Sequence, residues 1–199
     1  MSKKQSYALL LGAVLSVPLL ALSQAGPSTA KAVNSAPLSR LEAAVTYNPM
    51  AAGLVSGNNF WMEGGSGQLD ARLWRGLSLT ADIGGQHNSN MRSSGVGLDI
   101  VTTTFGPRYR WQRKGYTFYG QMLVGEAHGM NSVFPGVNGI SSNASGLALL
   151  GGGGVNRQLS RRFAVRLFEA DWMRTQLPNS TTNAQNDLRL GAGLVMRIK

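Results

Sequence analysis

The last segment of the chain alternates between two kinds of side chain, and this pattern is the strongest constraint on the fold. One face is apolar throughout, with Leu188, Leu190, Ala192, Leu194, Met196 and Ile198. The other face holds every charge, with Asp187, Arg189, Gly191, Gly193, Val195 and Arg197. A period of two residues is that of a β-strand, because a helix would carry the charges onto the apolar face. The segment is therefore predicted to be a strand with one apolar and one polar face.

The same pattern recurs along the chain after residue 38. It predicts eight strands of about ten residues, at about 39–47, 62–74, 77–86, 98–111, 116–126, 144–156, 163–174 and 187–198. The chain has 26 glycines and only 14% charged residues, which disfavours long helices and an ordinary soluble globule. Ten residues suffice for a tilted strand to cross an outer membrane. The expected fold is an all-β, eight-stranded antiparallel transmembrane β-barrel.

Two of the eight segments fit the template less well. The segment 144–156 is almost entirely Gly, Ala and Leu, so the pattern does not decide which of its faces is polar. In the segment 163–174, Phe168 and Trp172 oppose Glu169, but Arg166 falls on the apolar face. We interpret Arg166 either as the site of a β-bulge or as a residue near a membrane interface.

The links between the segments alternate in length. Short turns are expected at 75–76, 112–115 and 158–162, and long links at 48–61, 87–97, 127–143 and 175–185. Outer-membrane barrels combine short periplasmic turns with long outer loops. The alternation therefore predicts that the short turns and the start of the barrel lie on the periplasmic side.

Aromatic residues test this arrangement, because amphipathic rings collect at membrane interfaces. In the assumed topology one group falls at the rim of the short turns, namely Trp74, Tyr109, Trp111, Tyr116 and Phe163. A second group falls at the rim of the long links, namely Tyr47, Trp61 and Trp172, with Phe60 beside them. Two interface belts are predicted. The alternative is that these rings form the core of a soluble β-sandwich.

The N-terminus has the pattern of a secretory signal peptide. Lys3 and Lys4 precede an apolar run from residue 8 to residue 22, which is too short to span a bilayer as a helix. Small residues favour cleavage after Ala25, although Ala30 and Ala32 also fit. We expect a signal peptide at 1–25, a flexible periplasmic leader at 26–38 and the barrel at 39–199. Export would place the barrel in the bacterial outer membrane.

The alternation assigns six acids and five arginines to the inside of the barrel. The expected lumen network consists of Glu42, Asp70, Asp82, Glu169, Asp171 and Asp187 with Arg72, Arg108, Arg110, Arg189 and Arg197. The interior of an eight-stranded barrel is only wide enough to be filled by side chains. These charges are therefore expected to pair with one another as a structural plug. A gated ion path or proton relay is the functional alternative.

Enzymatic and other binding functions have weaker support in the sequence. A lipid-modifying hydrolase could use Glu126, His128, Ser132 or Ser141, but no nucleophile elbow or recognised triad spacing is present. The only other histidine is His87, and the chain has no Cys, so we expect no metal and no cofactor. The basic residues are dispersed, which disfavours nucleic-acid binding. We therefore expect a protein that is not an enzyme.

Several stretches resemble the family of small eight-stranded outer-membrane β-barrels that includes the OmpA transmembrane domain. They are Phe105 to Tyr109, Tyr119 to Gln121, the glycines 151–154 and the last strand. The resemblance covers about residues 39–199 and implies contact with outer-membrane lipid or lipopolysaccharide and insertion by the barrel-assembly machinery. Relatives usually end in an aromatic residue, whereas this sequence ends Arg197-Ile198-Lys199, a departure expected to affect assembly.

The function expected from these features is a structural or surface-interaction role in the outer membrane, carried out by a monomer. A small-solute channel is the main alternative. A soluble lipocalin-like barrel is a third alternative, but it would need its apolar faces inside.

Overall fold

A computed structural model describes residues 39–53, 59–90, 95–136, 139–179 and 182–198. The signal peptide and leader expected at 1–38 lie outside the described residues. Within these ranges the chain forms eleven strands, β1 (Leu41–Tyr47), β2 (Met50–Ala52), β3 (Phe60–Trp74), β4 (Leu77–Asn88), β5 (Leu98–Arg113), β6 (Tyr116–Met130), β7 (Phe134–Gly136), β8 (Gly139–Ser141), β9 (Ala144–Gln158), β10 (Phe163–Thr175) and β11 (Gln185–Arg197).

The wall is an antiparallel sheet that closes on itself. Each strand pairs with its neighbours in the order β1, β11, β10, β9, β6, β5, β4, β3, and β1 also pairs with β3. Glu42 of β1 therefore lies opposite both Arg197 of β11 and Asp70 of β3. The short strand β2 continues β1 along the same two neighbours. Counted this way, the described wall has eight strands, which confirms the predicted all-β, eight-stranded barrel.

The first wall strand is divided at Asn48 and Pro49. Proline lacks a backbone N–H and interrupts a ladder of hydrogen bonds. Pairing nevertheless continues across the break, because the Asn48 N–H donates to the Gly64 carbonyl at 2.8 Å and the Leu190 N–H donates to the Pro49 carbonyl at 3.0 Å. The break therefore leaves the barrel closed.

Short and long links lie at opposite ends of the barrel. Lys114 and Gly115 have φ values of 49° and 83°, as a two-residue hairpin turn of type I′ requires. This turn is shorter than the predicted 112–115, because β5 extends to Arg113. We call this end, which also contains the links 75–76 and 159–162, the turn end. The opposite end is the loop end, where β7 and β8 form a small hairpin inside a long link.

The two faces of the wall have opposite chemistry. Apolar residues point outward, so that Met122 is 73% exposed and Val45 is 71% exposed. In the middle of the wall charged residues point inward, and Asp171 and Arg189 are fully buried. This distribution contradicts the soluble lipocalin-like and sandwich alternatives, which need the reverse. The described residues include no helix of the length and hydropathy required to cross a membrane.

The structure resolves the two ambiguous segments. In β9, Ala148 and Leu150 face inward, whereas Leu147 and Leu149 face outward. In β10 the register with β9 and β11 shifts after Arg166, which confirms the β-bulge interpretation. The bulge turns Arg166 into the lumen, where it is 1% exposed, so its assignment to the apolar face was wrong.

Candidate functional site in the barrel lumen

Most of the charged residues assigned to the lumen lie inside the barrel. Relative exposures of 7% or less are found for Glu42, Asp70, Asp82, Arg108, Arg110, Glu169, Asp171, Asp187, Arg189 and Arg197. Arg72 differs, since it is only partly buried, lies near the turn end and has no side-chain hydrogen bond or ion pair with the described residues, although its backbone N–H donates to the Arg40 carbonyl at 2.7 Å. Arg166 joins the buried set because of the bulge.

One cluster of charges lies toward the turn end. Arg110 of β5 contacts Glu42 at 2.8 Å and Asp70 at 3.2 Å, and Arg197 contacts Glu42 at 3.3 Å. The hydroxyls of Ser78 and Thr80 each donate to Asp70 Oδ2 at 2.7 Å. Each carboxylate here has more than one partner, which is what a buried charge needs to offset its loss of hydration.

A second cluster fills the middle of the lumen. Arg189 of β11 reaches across the barrel to Asp82 of β4 at 3.0 Å and contacts Asp171 of β10 at 2.9 Å. Arg166 contacts Glu169 at 2.6 Å. The planar guanidinium group, with its five donors, suits such a site because it can serve two carboxylates at once.

Two glutamines connect the charged groups. The Gln68 side-chain oxygen accepts from both Arg108 and Arg166, each at 2.7 Å, while its nitrogen donates to Asp82 at 2.8 Å. Gln121 likewise accepts from Arg108 and donates to Asp171 at 2.9 Å. Each amide therefore links a cation to an anion. Both glutamines lie on the polar faces of segments predicted from alternation, but sequence reasoning did not identify them as central.

Tyr119 lies between two cations. The guanidinium carbon of Arg108 is 4.4 Å from the ring centroid and that of Arg166 is 4.9 Å from it, and the hydroxyl donates to Glu169. Cations over a ring face are attracted by its negative quadrupole. A Cβ atom added at Gly154 would lie 2.6 Å from the Tyr119 hydroxyl oxygen. The absence of a side chain at Gly154 therefore leaves room for this ring.

The chemistry of the lumen changes toward the loop end. Asp187 is buried and accepts a hydrogen bond from the Gly53 N–H at 2.9 Å, rather than pairing with an arginine. Beyond it lies an apolar cluster built from Met50, Ala52, Met62, Ile100, Ala127, Phe134, Ala148, Met173 and Leu177. Sequence reasoning missed this apolar cap. Extending the alternation of β3 backward from Gln68 would have placed Met62 on the same inner face.

Paired charges therefore occupy the turn end and the middle of the lumen, and the apolar cap occupies the loop end. At the mouth of the cap, a cavity of about 340 Å³ opens among loop residues. Its walls are mainly apolar and include Phe60, Leu98, Val133, Phe134 and Leu177.

The aromatic residues form two groups on the outer surface. Trp74, Tyr109, Trp111 and Phe163 are 65%, 57%, 48% and 52% exposed near the turn end, and Tyr116 is partly exposed there. Toward the loop end, Trp61 and Trp172 lie at one level of the wall. Ala51 pairs with both Trp61 and Leu188, and Leu188 in turn pairs with Trp172. Tyr47 is also outward and exposed.

The two histidines lie on the outer surface near the loop end. His87 contacts Asp99, which also accepts from Asn131. His128 Nδ1 lies 2.7 Å from the Ser145 hydroxyl oxygen, whereas Ser141 donates to the Asn143 carbonyl. Among the described residues, no three His, Cys, Asp or Glu side chains are placed to share a metal ion.

Comparisons with known proteins identify the architecture. No protein-family model and no curated protein sequence matches the chain. The crystal structure of Neisserial surface protein A matches with a TM-score of 0.54 and 13% identity, over 79% of this chain and 96% of that one. The chain has the fold of the small outer-membrane β-barrels. The identity is low, so this likeness concerns the fold alone.

A second similar structure is that of Ail, the attachment invasion locus protein of Yersinia pestis. It matches with a TM-score of 0.47 and 15% identity, over 79% of this chain and 97% of that one. The match to Neisserial surface protein A confirms the fold expected from the resemblance to small eight-stranded outer-membrane barrels.

Proposed function

We propose that this barrel is an outer-membrane protein with a structural and surface-interaction role, and that its filled lumen does not conduct. The observation that carries the proposal is the continuous filling of the lumen by paired charges and an apolar cap. Arg189 of β11 contacts Asp82 of β4 at 3.0 Å, so its side chain occupies part of the lumen between these strands. An ion crossing the lumen would have to displace several buried ion pairs, each costly to break.

The loop end supplies the surface for interaction. Ile140 and Val133 are 79% and 56% exposed there, and the apolar cavity opens beside Val133. Exposed apolar side chains next to a concave apolar site are typical of binding surfaces. The proposed partners are outer-leaflet lipid or lipopolysaccharide around the wall and the barrel-assembly machinery during insertion. We propose export by the N-terminal signal and a monomeric state, with no nucleic-acid partner.

Site-directed labelling tests the proposed orientation, because the chain has no native cysteine. Ile140→Cys at the loop end is expected to react with a membrane-impermeant maleimide on intact cells. Lys114→Cys at the turn end is expected to react only after the outer membrane has been opened. Both variants must keep the heat-dependent gel shift of a closed barrel. Equal labelling of both sites on intact cells would contradict the proposed orientation.

One contact favours a second candidate, an enzyme acting on outer-leaflet lipid. His128 and Ser145 are within hydrogen-bonding distance on the outer surface, as a base and a nucleophile would be. Glu126 is on the same strand and face, but within the described part of the chain its side chain forms no hydrogen bond with His128. Ser145→Ala and His128→Ala are expected to leave outer-membrane lipid composition unchanged. A change in lipid acylation caused by both variants would favour the enzyme instead.

A further inference from the structure

Positive charge is concentrated around the turn end of the barrel. Arg75, Arg113, Lys114, Arg161 and Arg162 lie in or beside the three short turns, and all five are exposed. Three further cations, Arg40, Arg72 and Arg157, lie at neighbouring strand ends. We call these eight residues the basic rim.

No exposed carboxylate neutralises the basic rim within the described residues. The nearest acids, Glu42 and Asp70, are buried in the lumen and already paired with Arg110. The carboxylates outside the lumen, Glu63, Asp99 and Glu126, all lie toward the loop end. Residues 1–38 contain three lysines and no acid, so they cannot supply the missing negative charge. The positive charge of the basic rim is therefore not compensated by the described residues, which favours binding of an anion from outside the protein.

The basic rim lies at the level of the aromatic belt of the turn end. The guanidinium carbon of Arg75 is 4.7 Å from the centroid of the Trp74 ring, and that of Arg157 is 5.9 Å from the Tyr116 ring. Tryptophan and tyrosine rings mark the depth of the lipid headgroups. Cations held against these rings therefore lie where lipid phosphates would be.

We infer that the basic rim binds the headgroups of anionic phospholipids in the leaflet at the turn end. This inference rests on the proposed outer-membrane location. The ring of cations around the circumference matches a shell of lipids better than a single compact ligand. Each Lys or Arg near an anionic surface strengthens its attraction by about fivefold at moderate salt. The rim would hold the barrel at a fixed depth through this selective contact.

Spin-labelled lipids provide a direct test. The refolded protein is placed in phosphatidylcholine vesicles that contain a trace of spin-labelled phosphatidylglycerol or spin-labelled phosphatidylcholine, and the motionally restricted fraction is measured. We expect the association constant for phosphatidylglycerol to exceed that for phosphatidylcholine by about fivefold. The preference is expected to fall as salt is raised.

Matched variants separate charge from folding. Arg113→Gln, Arg161→Gln and Arg162→Gln together are expected to lower the preference at least twofold. The same three positions changed to Lys keep the charge and are expected to keep the preference. Equal preference in the two triple variants would overturn the inference.

The controls distinguish this inference from the proposed function. A barrel that inserts and shows the heat-dependent gel shift, but binds both lipids equally, overturns the inference and leaves the proposed function intact. Binding of phosphatidylglycerol that survives high salt undiminished also overturns it. A protein that fails to insert into vesicles of either composition overturns the proposed function and the inference together.

Discussion

The two halves of the lumen are filled by different means. Both kinds of filling occur on the inner face of β3. Gln68 and Asp70 lie in the polar half, and Met62 lies in the apolar cap. The polar half depends on directional contacts between named partners, whereas the cap depends on close packing of flexible side chains. Breaking one polar partnership therefore leaves a buried charge, while trimming the cap leaves a cavity. The two halves should respond differently to substitution.

The largest effect is expected in the polar half. Arg189→Met removes the contacts to Asp82 and Asp171 and leaves two buried carboxylates without their main cation. We expect the free energy of unfolding in urea to fall by about 3–5 kcal/mol. Arg174→Met, on the exposed outer face of β10, is the control and should change it by less than about 0.5 kcal/mol. A loss below about 1 kcal/mol for Arg189→Met would contradict the pairing.

The apolar cap should show a cavity effect of somewhat smaller size. Met173 is fully buried in the cap, and Met173→Ala is expected to lower the free energy of unfolding by about 2–5 kcal/mol. Met173→Leu keeps most of the volume and should cost less than about 1.5 kcal/mol. Equal losses in the two variants would show that packing is not what stabilises the cap.

The glycines of β9 allow a test of space within the polar half. A methyl group at Gly154 would clash with the Phe168 carbonyl oxygen and would meet the Tyr119 hydroxyl oxygen at 2.6 Å, whereas one at Gly151 would meet nothing within 4 Å. Gly154→Ala is therefore expected to lower the free energy of unfolding by about 1–3 kcal/mol through overpacking. Gly151→Ala, on the outer face, should not destabilise. Similar losses at both positions would contradict the claim that crowding around Gly154 causes the loss.

The smallest effect is expected outside the lumen. His87 and Asp99 form an exposed contact near the loop end. Asp99→Asn should lower the free energy of unfolding by less than about 1 kcal/mol, because exposed ion pairs are solvated and screened. The same substitution at the buried Asp82 is expected to cost more than at Asp99. A larger loss of unfolding free energy for Asp99→Asn than for Asp82→Asn would contradict the expected contrast between buried and exposed ion pairs.

Sequence alternation predicted the eight wall strands because the barrel separates apolar from polar residues on opposite faces. It placed Asp187, Arg189 and Arg197 on one face without knowledge of their partners. The charge of Arg166 on the apolar face indicated a bulge or an interface position, but alternation alone could not choose between them, because a bulge changes the facing of the residues before it. Alternation also did not foresee that Pro49 divides the first wall strand.

The contacts inside the lumen were beyond prediction for a different reason. Which arginine meets which acid depends on the stagger between distant strands, as with Arg189 and Asp82. The role of Tyr119 depends on the absence of a side chain at Gly154, on the neighbouring strand. These contacts form only when the barrel has closed, so the pattern within a single strand does not reveal them.

Planar-bilayer recording tests the central claim, that the lumen is filled, most directly. The refolded protein is first shown to be a closed barrel by its heat-dependent gel shift and is then added to the bilayer. We predict no steady single-channel steps for the wild-type protein. Steady steps that disappear when Arg108 or Asp171 is substituted would contradict the filled lumen and favour a channel.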